Sequence, residues 1–446
     1  MSATLSPLQS ALSILPPNAS EATVRDHFVR AELLPALGFD STEIVAEYDT
    51  GGGGITDFAT RKNLGDTLFL HDLKNPLLLI EVKGRDYNIA QHTRQYRSVT
   101  DQLKRQLLGA NCYSVQWGII TNANHIQLFR KHGKVIFPAT PCLEITIENV
   151  DEIVRLIKHK IDHPHRALTV TIYNNKGGIG KTTTAINLAG ILAALDKRVL
   201  VIDFDFNQHD LTTALGKKVH EGVIVSCLTD RDADLELAIV PYSFPSKKKT
   251  ITFDVIPGDV QMVNLDEVKL RQEAVHLDVL HKKLIPLKNK YDYIFIDASP
   301  NWRSNTQFAV YAADVVLIPT KHNSLFSLEN AALVIKNFLP QIQKLKNDGT
   351  PVALPIFFNG ENITDAKREV AIKEIERIIE DGYKEKIDLR PYFFPKWTNS
   401  KRDNYIHCIP NYAGIASAHF SHVPAVYTNR VALEHYHSFV KEYFLQ

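Results

Sequence analysis

The segment 174–184, NNKGGIGKTTT, constrains the fold more than any other part of the chain. It follows the apolar run LTVTIYN at 168–174 and precedes KTTTAINLAGILAAL, a pattern that predicts a strand, a glycine-rich turn and a helix. Because Gly177, Gly178 and Gly180 have no side chains, backbone N–H groups of such a turn can converge on phosphate oxygens at the positive end of the helix. The segment therefore predicts a nucleotide-binding P-loop.

The side chains of this loop predict ATP with Mg²⁺ as the ligand. Lys181 is expected to contact the β- and γ-phosphates, and the Thr182 hydroxyl is expected to ligate Mg²⁺. Ile179 and Thr183 complete the nucleotide-binding segment. The general P-loop pattern has a glycine six residues before the lysine, whereas this chain has Asn175 at that place.

Two strand ends are expected to bring carboxylates to the loop. The apolar run IFIDASP at 294–300 contains Asp297, the expected carboxylate of the magnesium shell. In DFDFNQHD at 203–210, Asp203 and Asp205 lie on one face, since strand side chains alternate. We expect Asp205 to orient the attacking water. Asp203 either joins the metal site or makes a structural hydrogen bond.

The pattern of secondary structure divides the chain into domains. At roughly 150 residues per domain, the length predicts two or three of them. The composition predicts a loose leader at 1–20, an α/β domain at 21–156, a charged linker at 157–166 and the P-loop domain at 167–446. In the last of these, continuous apolar strands alternate with helices. The P-loop domain is therefore expected to have a mostly parallel sheet covered by helices on both faces.

A second set of charged side chains lies in the N-terminal half. The apolar strand NPLLLIEVK at 75–83 carries Glu81 and Lys83, which point to one face because strand side chains alternate. Asp57, on the earlier strand ITDFAT, completes a D…E-x-K pattern. We expect Asp57 and Glu81 to bind one or two Mg²⁺ ions, and Lys83 to position or activate water at a phosphodiester. The alternative is a strand-end pair of solvated charges.

The C-terminal part resembles the ParA/MinD family of deviant Walker ATPases from about residue 168 to the end. The resemblance rests on KGGIGKTT, DFDF, YDYIFIDASP, ADVVLIPT and IPNYAGIASAHFSHVPAVY. It implies that Lys176 is the signature lysine, which reaches the partner's phosphates in an ATP-bound sandwich homodimer. The positions that match the adenine-flanking segments of the family are Asn359, Pro410 and Asn411. Phe206 stands where the family has proline, and Asn411 stands where it has arginine.

The N-terminal part resembles the nuclease domain of type I restriction enzyme motor subunits, a PD-(D/E)xK fold. The matching stretches cover most of 20–135 and are EATVRDHFVRAELLPALGFD, ITDF, LLLIEVKG, DQLKRQ and WGIITNANHIQLF. The resemblance implies a restriction-endonuclease-like α/β domain with Gln102 in the catalytic centre and Glu21 as a further metal ligand. Gln106 stands where the family has tyrosine. A degenerate domain that only binds DNA is the alternative.

Together these features predict an ATP- and Mg²⁺-dependent homodimer that associates with DNA and cuts foreign DNA. The alternatives are a partition or positioning ATPase whose N-terminal domain only binds DNA or a partner, and a switch without DNA. A partner protein that stimulates hydrolysis is also expected. Because 51 Lys and Arg balance 50 Asp and Glu, DNA binding must come from local basic patches. The sequence has no signal-peptide pattern and no apolar run near the ~20 residues of a membrane span, so we expect no membrane partner and a cytoplasmic protein, nucleoid-associated if bound to DNA.

Overall fold

The computed structural model describes residues 5–247, 249–264, 276–360, 364–395, 405–410 and 421–446. The chain divides into two compact units. The N-terminal unit consists of Met1–Pro164, Asn347–Gly349 and Phe444–Gln446, and the C-terminal unit of His165–Lys346 and Thr350–Tyr443. Within the described ranges, no helix combines the length and the apolar character that a bilayer crossing requires.

A seven-stranded mixed sheet forms the centre of the N-terminal unit. Its strands are β1 (Ile44–Gly51), β2 (Gly54–Thr60), β3 (Leu78–Val82), β4 (Trp117–Thr121), β5 (His125–His132), β6 (Val135–Pro138) and β7 (Leu143–Glu144). The order is β1-β2-β3-β4-β5-β6, and β7 pairs with β5. Strands β1 to β3 form an antiparallel meander, whereas β4 lies parallel to β3. A parallel pair needs a crossover connection, which contains the helix Arg94–Leu107.

Helices pack on both faces of this sheet. They are Pro7–Ile14, Glu21–Val24 continued by Arg25–Leu33 and Leu34–Ala36, Arg94–Leu107 and Val150–Asp162, with 3₁₀ turns at Ser41–Glu43 and Ala110–Cys112. Ile80 of β3 belongs to the core that includes Phe28, whereas the adjacent Leu79 belongs to the core that includes Leu103. Because side chains alternate along a strand, these two cores lie on opposite faces.

Two predicted boundaries are wrong in part. Residues 1–20 are not loose throughout, because Pro7–Ile14 is a capped helix with a buried apolar face. Most of 157–166 is not a linker, since the helix Val150–Asp162 extends into it as far as Asp162 and buries Ile161. In both segments the polar residues that suggested a loop lie between apolar residues at helical spacing.

A second seven-stranded sheet forms the centre of the C-terminal unit, with the order β10-β11-β9-β12-β8-β13-β15. Its strands are β8 (Leu168–Ile172), β9 (Val199–Phe204), β10 (Val240–Pro245), β11 (Thr250–Ile256), β12 (Tyr293–Ala298), β13 (Val315–Leu317) and β15 (Val352–Ala353). From β11 to β15 along this order, every pair of neighbouring strands is parallel. The edge strand β10 is antiparallel to β11. A small parallel sheet contains β14 (Pro319–Thr320), β16 (Phe357–Asn359) and β17 (Cys408–Ile409). The predicted mostly parallel sheet is confirmed.

Helices cover this sheet as well. They are Lys181–Ala194, Asp210–Ala214, Val223–Thr229, Val279–Leu284, Ser304–Ala312, Leu325–Leu333 continued by Val334–Phe338 and Leu339–Lys346, Asp365–Lys384, Arg390–Phe393, Ala425–Thr428 and Arg430–Tyr443, with 3₁₀ turns at Leu235–Ala238, Val260–Asn264 and Leu287–Asn289. The helix Lys181–Ala194 packs on β9, β11 and β12. In such a sheet the carboxyl ends of parallel strands meet at one edge, where ligands usually bind.

Candidate functional site

The turn between β8 and the helix Lys181–Ala194 has the backbone of a phosphate-binding loop. Gly178 and Gly180 have positive φ angles of 70° and 79°, a conformation that favours glycine. A Cβ on Gly180 would also collide with the side-chain amide of Asn359. Lys176, Gly177 and Gly178 are exposed, so the loop is accessible from solvent.

The side chain of Lys181 extends back across the phosphate-binding loop. Its side chain is buried, and Nζ donates a hydrogen bond to the backbone carbonyl of Lys176 at 3.2 Å. Burial lowers the pKa of Lys181, while the carboxylates of Asp297 and Asp205 act in the opposite direction. A phosphate held by the loop would therefore meet a lysine that is already positioned across it.

Asp297, at the end of β12, is paired in register with Asp203 of β9. Both side chains are buried. Within the described residues, neither carboxylate oxygen of Asp297 accepts a well-formed hydrogen bond, although the Thr182 hydroxyl is near enough to lower its pKa. Burial and the neighbouring Asp203 outweigh that effect and raise the pKa of Asp297 to about 8. A buried carboxylate without a donor is costly unless a cation compensates it, so Asp297 and Thr182 fit Mg²⁺.

Asp203 has the structural hydrogen bonds that were one of its two predicted roles. Its Oδ2 accepts from Thr212 N at 2.9 Å and from Thr212 Oγ1 at 2.5 Å, and its Oδ1 accepts from Asp205 N at 3.3 Å. Burial raises the pKa of Asp203 despite these donors. Asp205 accepts from Asn207 N at 3.2 Å and so stabilises the turn after β9. The catalytic role of Asp205 and the metal role of Asp203 stay predictions.

The predicted adenine-flanking residues lie at the ends of neighbouring strands. Asn359 ends β16 and is paired in register with Ile409 of β17, which Pro410 follows. Asn359 Nδ2 donates to the carbonyls of Ile179 and Gly180 at 2.9 Å and 3.0 Å. Its amide therefore supports the phosphate loop directly. Asn411 lies outside the described residues.

In the N-terminal unit, the predicted nuclease residues meet at Glu81 of β3. Glu81 is buried, and its Oε1 accepts from Lys83 Nζ at 2.7 Å and from Gln102 Nε2 at 2.6 Å. Lys83 Nζ also lies 3.4 Å from Glu21 Oε2. Asp57 Oδ2 accepts a backbone hydrogen bond from β3 at 2.7 Å. The fold thus brings together all five residues that the D…E-x-K pattern and the resemblance indicated.

The charges of this centre shift its ionisation. Burial raises the pKa of Asp57 to about 6, with Glu81 and Glu21 adding to the effect and the β3 backbone hydrogen bond and Lys83 opposing it. Burial lowers the pKa of Lys83, but its hydrogen bond and ion pair with Glu81 outweigh that effect and raise it. Lys83 is therefore held as a cation between carboxylates.

In the part of the chain that the structure describes, no group of three or more His, Cys, Asp and Glu side chains could hold a metal ion. Mg²⁺ does not require such a cage, because it is usually held by one or two carboxylates together with waters and substrate phosphates. Asp57 and Glu81 fit this requirement by chemistry. Oε1 of Glu81 accepts two hydrogen bonds and Oε2 accepts one, so Oε2 keeps a lone pair that a metal could use without displacing a donor.

Two contacts were not predicted. Gln106 Nε2 donates to Glu81 Oε2 at 2.8 Å. No contact was predicted for Gln106 from the sequence, which showed only that the nuclease family has tyrosine at this position. Its spacing of four residues from Gln102 was an available signal, since such residues share a helix face. Thr212, the partner of Asp203, carries no comparable signal because only the tertiary fold brings the two together.

A glycine loop between a parallel strand and a helix, with a buried lysine and a buried carboxylate on the neighbouring strand, defines a P-loop nucleoside triphosphatase. An AAA domain family matches residues 167–350. The sporulation initiation inhibitor protein Soj of Bacillus subtilis (strain 168) is 32% identical over 215 residues, which are 47% of this chain and 78% of Soj. The chromosome partitioning protein ParA of Myxococcus xanthus (strain DK1622) is 37% identical over 153 residues, 34% of this chain and 50% of that protein. The chain belongs to the ParA/MinD-type P-loop ATPases, whose cofactor is ATP with Mg²⁺.

Solved structures resemble the chain at lower identity. Apo McdA of Cyanothece has a TM-score of 0.47 and 22% identity, with 62% of this chain and 98% of that chain covered. The cell division ATPase MinD of Pyrococcus furiosus has a TM-score of 0.43 and 20% identity, with 62% and 99% covered. The AAA domain match begins at residue 167. It therefore does not include the cluster of Glu21, Asp57, Glu81, Lys83 and Gln102, which we call the carboxylate centre.

Proposed function

We propose that the chain is a ParA-type ATPase that forms a homodimer with ATP, associates with DNA and uses its N-terminal unit as a metal-dependent DNA endonuclease, in defence against foreign DNA. The observation that supports the nuclease part is the convergence of Lys83 and Gln102 on Glu81, with Asp57 hydrogen-bonded to the backbone N of the next residue, Val82. A strand-end pair of solvated charges would not bury Glu81 to 2% exposure.

Each side chain of the carboxylate centre has a role in this proposal. Asp57 and Glu81 would hold Mg²⁺, since hard carboxylate oxygens suit that ion. Glu21 adds a third carboxylate, whose Oε2 lies 3.4 Å from Lys83 Nζ. When bound, the metal would stabilise the charge that develops on a phosphodiester. Lys83 is a cation beside these carboxylates, so it can orient a water or a phosphate oxygen. Gln102 keeps the Glu81 carboxylate oriented.

The two units would act together through the ATPase. Lys181 and Thr182 would bind the phosphates and Mg²⁺, and Asp205 would orient the attacking water. Lys176 is exposed on the loop, which suits a contact made by a second copy of the chain. A homodimer on one duplex would carry two nuclease centres, one for each strand. A partner protein that stimulates hydrolysis would regulate this cycle.

Cleavage of supercoiled plasmid tests the nuclease part. Wild-type protein with Mg²⁺ or Mn²⁺ should nick the plasmid, whereas Glu81→Gln and Asp57→Asn should not, because each removes one carboxylate and little volume. Glu152→Gln, an exposed carboxylate of the same unit, is the matched control and should cut normally. Glu81→Gln and Asp57→Asn should hydrolyse ATP at the wild-type rate. Cleavage by both at the wild-type rate would place the activity elsewhere.

DNA association is tested by its response to salt. Contacts to phosphates release counterions, so binding in ATP should weaken steeply, by roughly a factor of ten per neutralised phosphate for each tenfold rise in salt. A binding curve at several salt concentrations, in ATP and in ADP, measures this. Absent or salt-independent binding in ATP would favour a switch that acts without DNA.

A partition or positioning ATPase with a docking N-terminal unit is the second candidate. One observation favours it: Glu81 accepts hydrogen bonds from Lys83, Gln102 and Gln106, so its charge is already compensated within the protein. Such a centre is stable without a metal. Purified protein that binds DNA in ATP but never cuts it, with either Mg²⁺ or Mn²⁺, would establish this second function instead.

A further inference from the structure

Strands β2 and β3 stop pairing where they carry the two carboxylates. Their ladder ends at the pair Phe58 and Ile80, one residue before Asp57 and Glu81. Beyond this pair two side chains of β2 continue the connection: Asp57 Oδ2 accepts from Val82 N at 2.7 Å, and Thr56 Oγ1 donates to the carbonyl of Ile80 at 3.0 Å. Side-chain contacts therefore add to the backbone ladder in fixing the positions of the two carboxylates.

Gln106 adds a bridge from a third element, the helix Arg94–Leu107. Its Nε2 donates to the carbonyl of Ile55 on β2 at 2.8 Å and to Glu81 Oε2 on β3 at 2.8 Å. The Ile55 carbonyl lies two residues from Asp57 on the same strand, β2. Gln106 thus connects the strand of Asp57 with the carboxylate of Glu81.

The orientation of this amide is fixed by its partners. An amide nitrogen carries two N–H donors, and both are used here. A flipped amide would set Oε1 against a carbonyl oxygen and a carboxylate oxygen, which is repulsive. The side chain is 4% exposed, so water cannot easily substitute for either contact.

We propose that Gln106 is a positioning residue of the carboxylate centre: it sets the spacing of Asp57 and Glu81 and thereby the affinity of the centre for a divalent cation. Gln102 holds Oε1 of Glu81, and Gln106 holds Oε2 and the neighbouring strand. Gln106 does not itself bind the metal. This inference rests on the proposed metal-dependent function.

The substitution Gln106→Met removes both donors and keeps the length of the side chain. Loss of a residue that orients a metal ligand typically weakens metal binding about 10- to 100-fold. Thr100→Val is the matched control, because Thr100 is also buried on the helix Arg94–Leu107 and its hydroxyl has no hydrogen-bond partner within the described residues. It reports the effect of losing a buried polar group away from Glu81.

Titration calorimetry with Mn²⁺ on the nucleotide-free full chain provides the test. The binding that Asp57→Asn abolishes defines the site. At this site Gln106→Met should bind Mn²⁺ about tenfold or more weakly than wild type, and Thr100→Val should bind normally. Plasmid cleavage by Gln106→Met should recover at high Mn²⁺, whereas Glu81→Gln should not recover. If Gln106→Met melts early, Gln106→Asn, shorter by one methylene, should show the same weakening.

The outcomes separate this inference from the proposed function. Wild-type affinity for Mn²⁺ in a folded Gln106→Met or Gln106→Asn protein overturns the positioning role, while the nuclease stands if wild type cuts DNA. Absence of any Asp57-dependent Mn²⁺ binding in wild type overturns both. Equal weakening in Thr100→Val assigns the effect to the helix as a whole and also overturns the role of Gln106.

Discussion

At the scale of single residues, Asn359 shows how one amide can hold a phosphate loop. The predicted adenine contact does not explain why this side chain is buried. Its Nδ2 lies within hydrogen-bond distance of two loop carbonyls, and it lies 3.1 Å from Thr184 Oγ1. Gly180 must lack a side chain for this approach. The loop conformation therefore depends on a strand that is distant in sequence.

We expect Asn359→Asp to damage nucleotide binding. The carboxylate would replace a donor with an acceptor that faces the carbonyls of Ile179 and Gly180, a change that costs about 1–3 kcal/mol for unsatisfied buried groups. The melting temperature should fall, and ATP affinity should drop about tenfold. Nucleotide titration measures this, with the exposed Asn289→Asp as control. Unchanged ATP affinity in Asn359→Asp would mean that the loop does not need this support.

The contacts of some site residues can be predicted from local sequence patterns, whereas those of others cannot. Glu81 and Lys83 were assigned to one face from strand alternation alone, and they form an ion pair at 2.7 Å. Helical spacing places Gln106 on the face of Gln102, but it does not place it against Glu81 of β3. Thr212 and Asp203 meet only through the tertiary fold. Local periodicity predicts a direction for a side chain, but not its partner.

At the scale of elements, the helix Arg94–Leu107 lies close to the sheet because Gly118 of β4 has no side chain. A Cβ on Gly118 would be 2.9 Å from Leu107 Cδ1 and 3.0 Å from Leu103 Cδ2. Both leucines are fully buried, so they have little room to move. This helix carries Gln102 and Gln106, so its distance from the sheet governs their reach to Glu81.

Gly118→Val should therefore affect the carboxylate centre from a distance. The added side chain would displace the helix, and overpacking of this kind costs about 1–3 kcal/mol. Thermal melting of the full chain should show the loss of stability, and Mn²⁺ binding at the Asp57-dependent site should weaken. ATP affinity should remain at the wild-type value, because the P-loop is in the other unit. Wild-type melting and Mn²⁺ binding would show that the helix does not depend on this contact.

The elements that could be predicted from the sequence are those with continuous apolar residues. The runs at 75–83, 168–174 and 291–300 each contain a strand of fully buried residues. Strand β10 was missed because it is a partly exposed edge strand that contains Pro241 and Pro245. Helices Pro7–Ile14 and Val150–Asp162 were missed because their polar faces and flanking prolines suggested loops.

At the scale of the whole molecule, the ATPase is expected to control assembly. Lys176 would gain a γ-phosphate partner across the dimer interface, and such charge-assisted contacts are stronger than neutral ones. Lys176→Ala should stay monomeric in ATP, whereas wild type and the exposed-lysine control Lys197→Ala should become dimeric. Light scattering in ATP and in ADP measures the mass. Normal dimerisation of Lys176→Ala would exclude the sandwich arrangement.

We propose that ATP-dependent dimerisation brings two nuclease centres to one duplex. The most direct measurement is the conversion of supercoiled plasmid into nicked and linear forms in Mg²⁺, with ATP or ADP, by wild type and by Lys176→Ala. Two centres on one duplex predict linear product from wild type in ATP, and nicks without linear product in ADP or from Lys176→Ala. Linear product formed at the same rate in ADP and by Lys176→Ala, or no cleavage by wild type under any of these conditions, would contradict the claim.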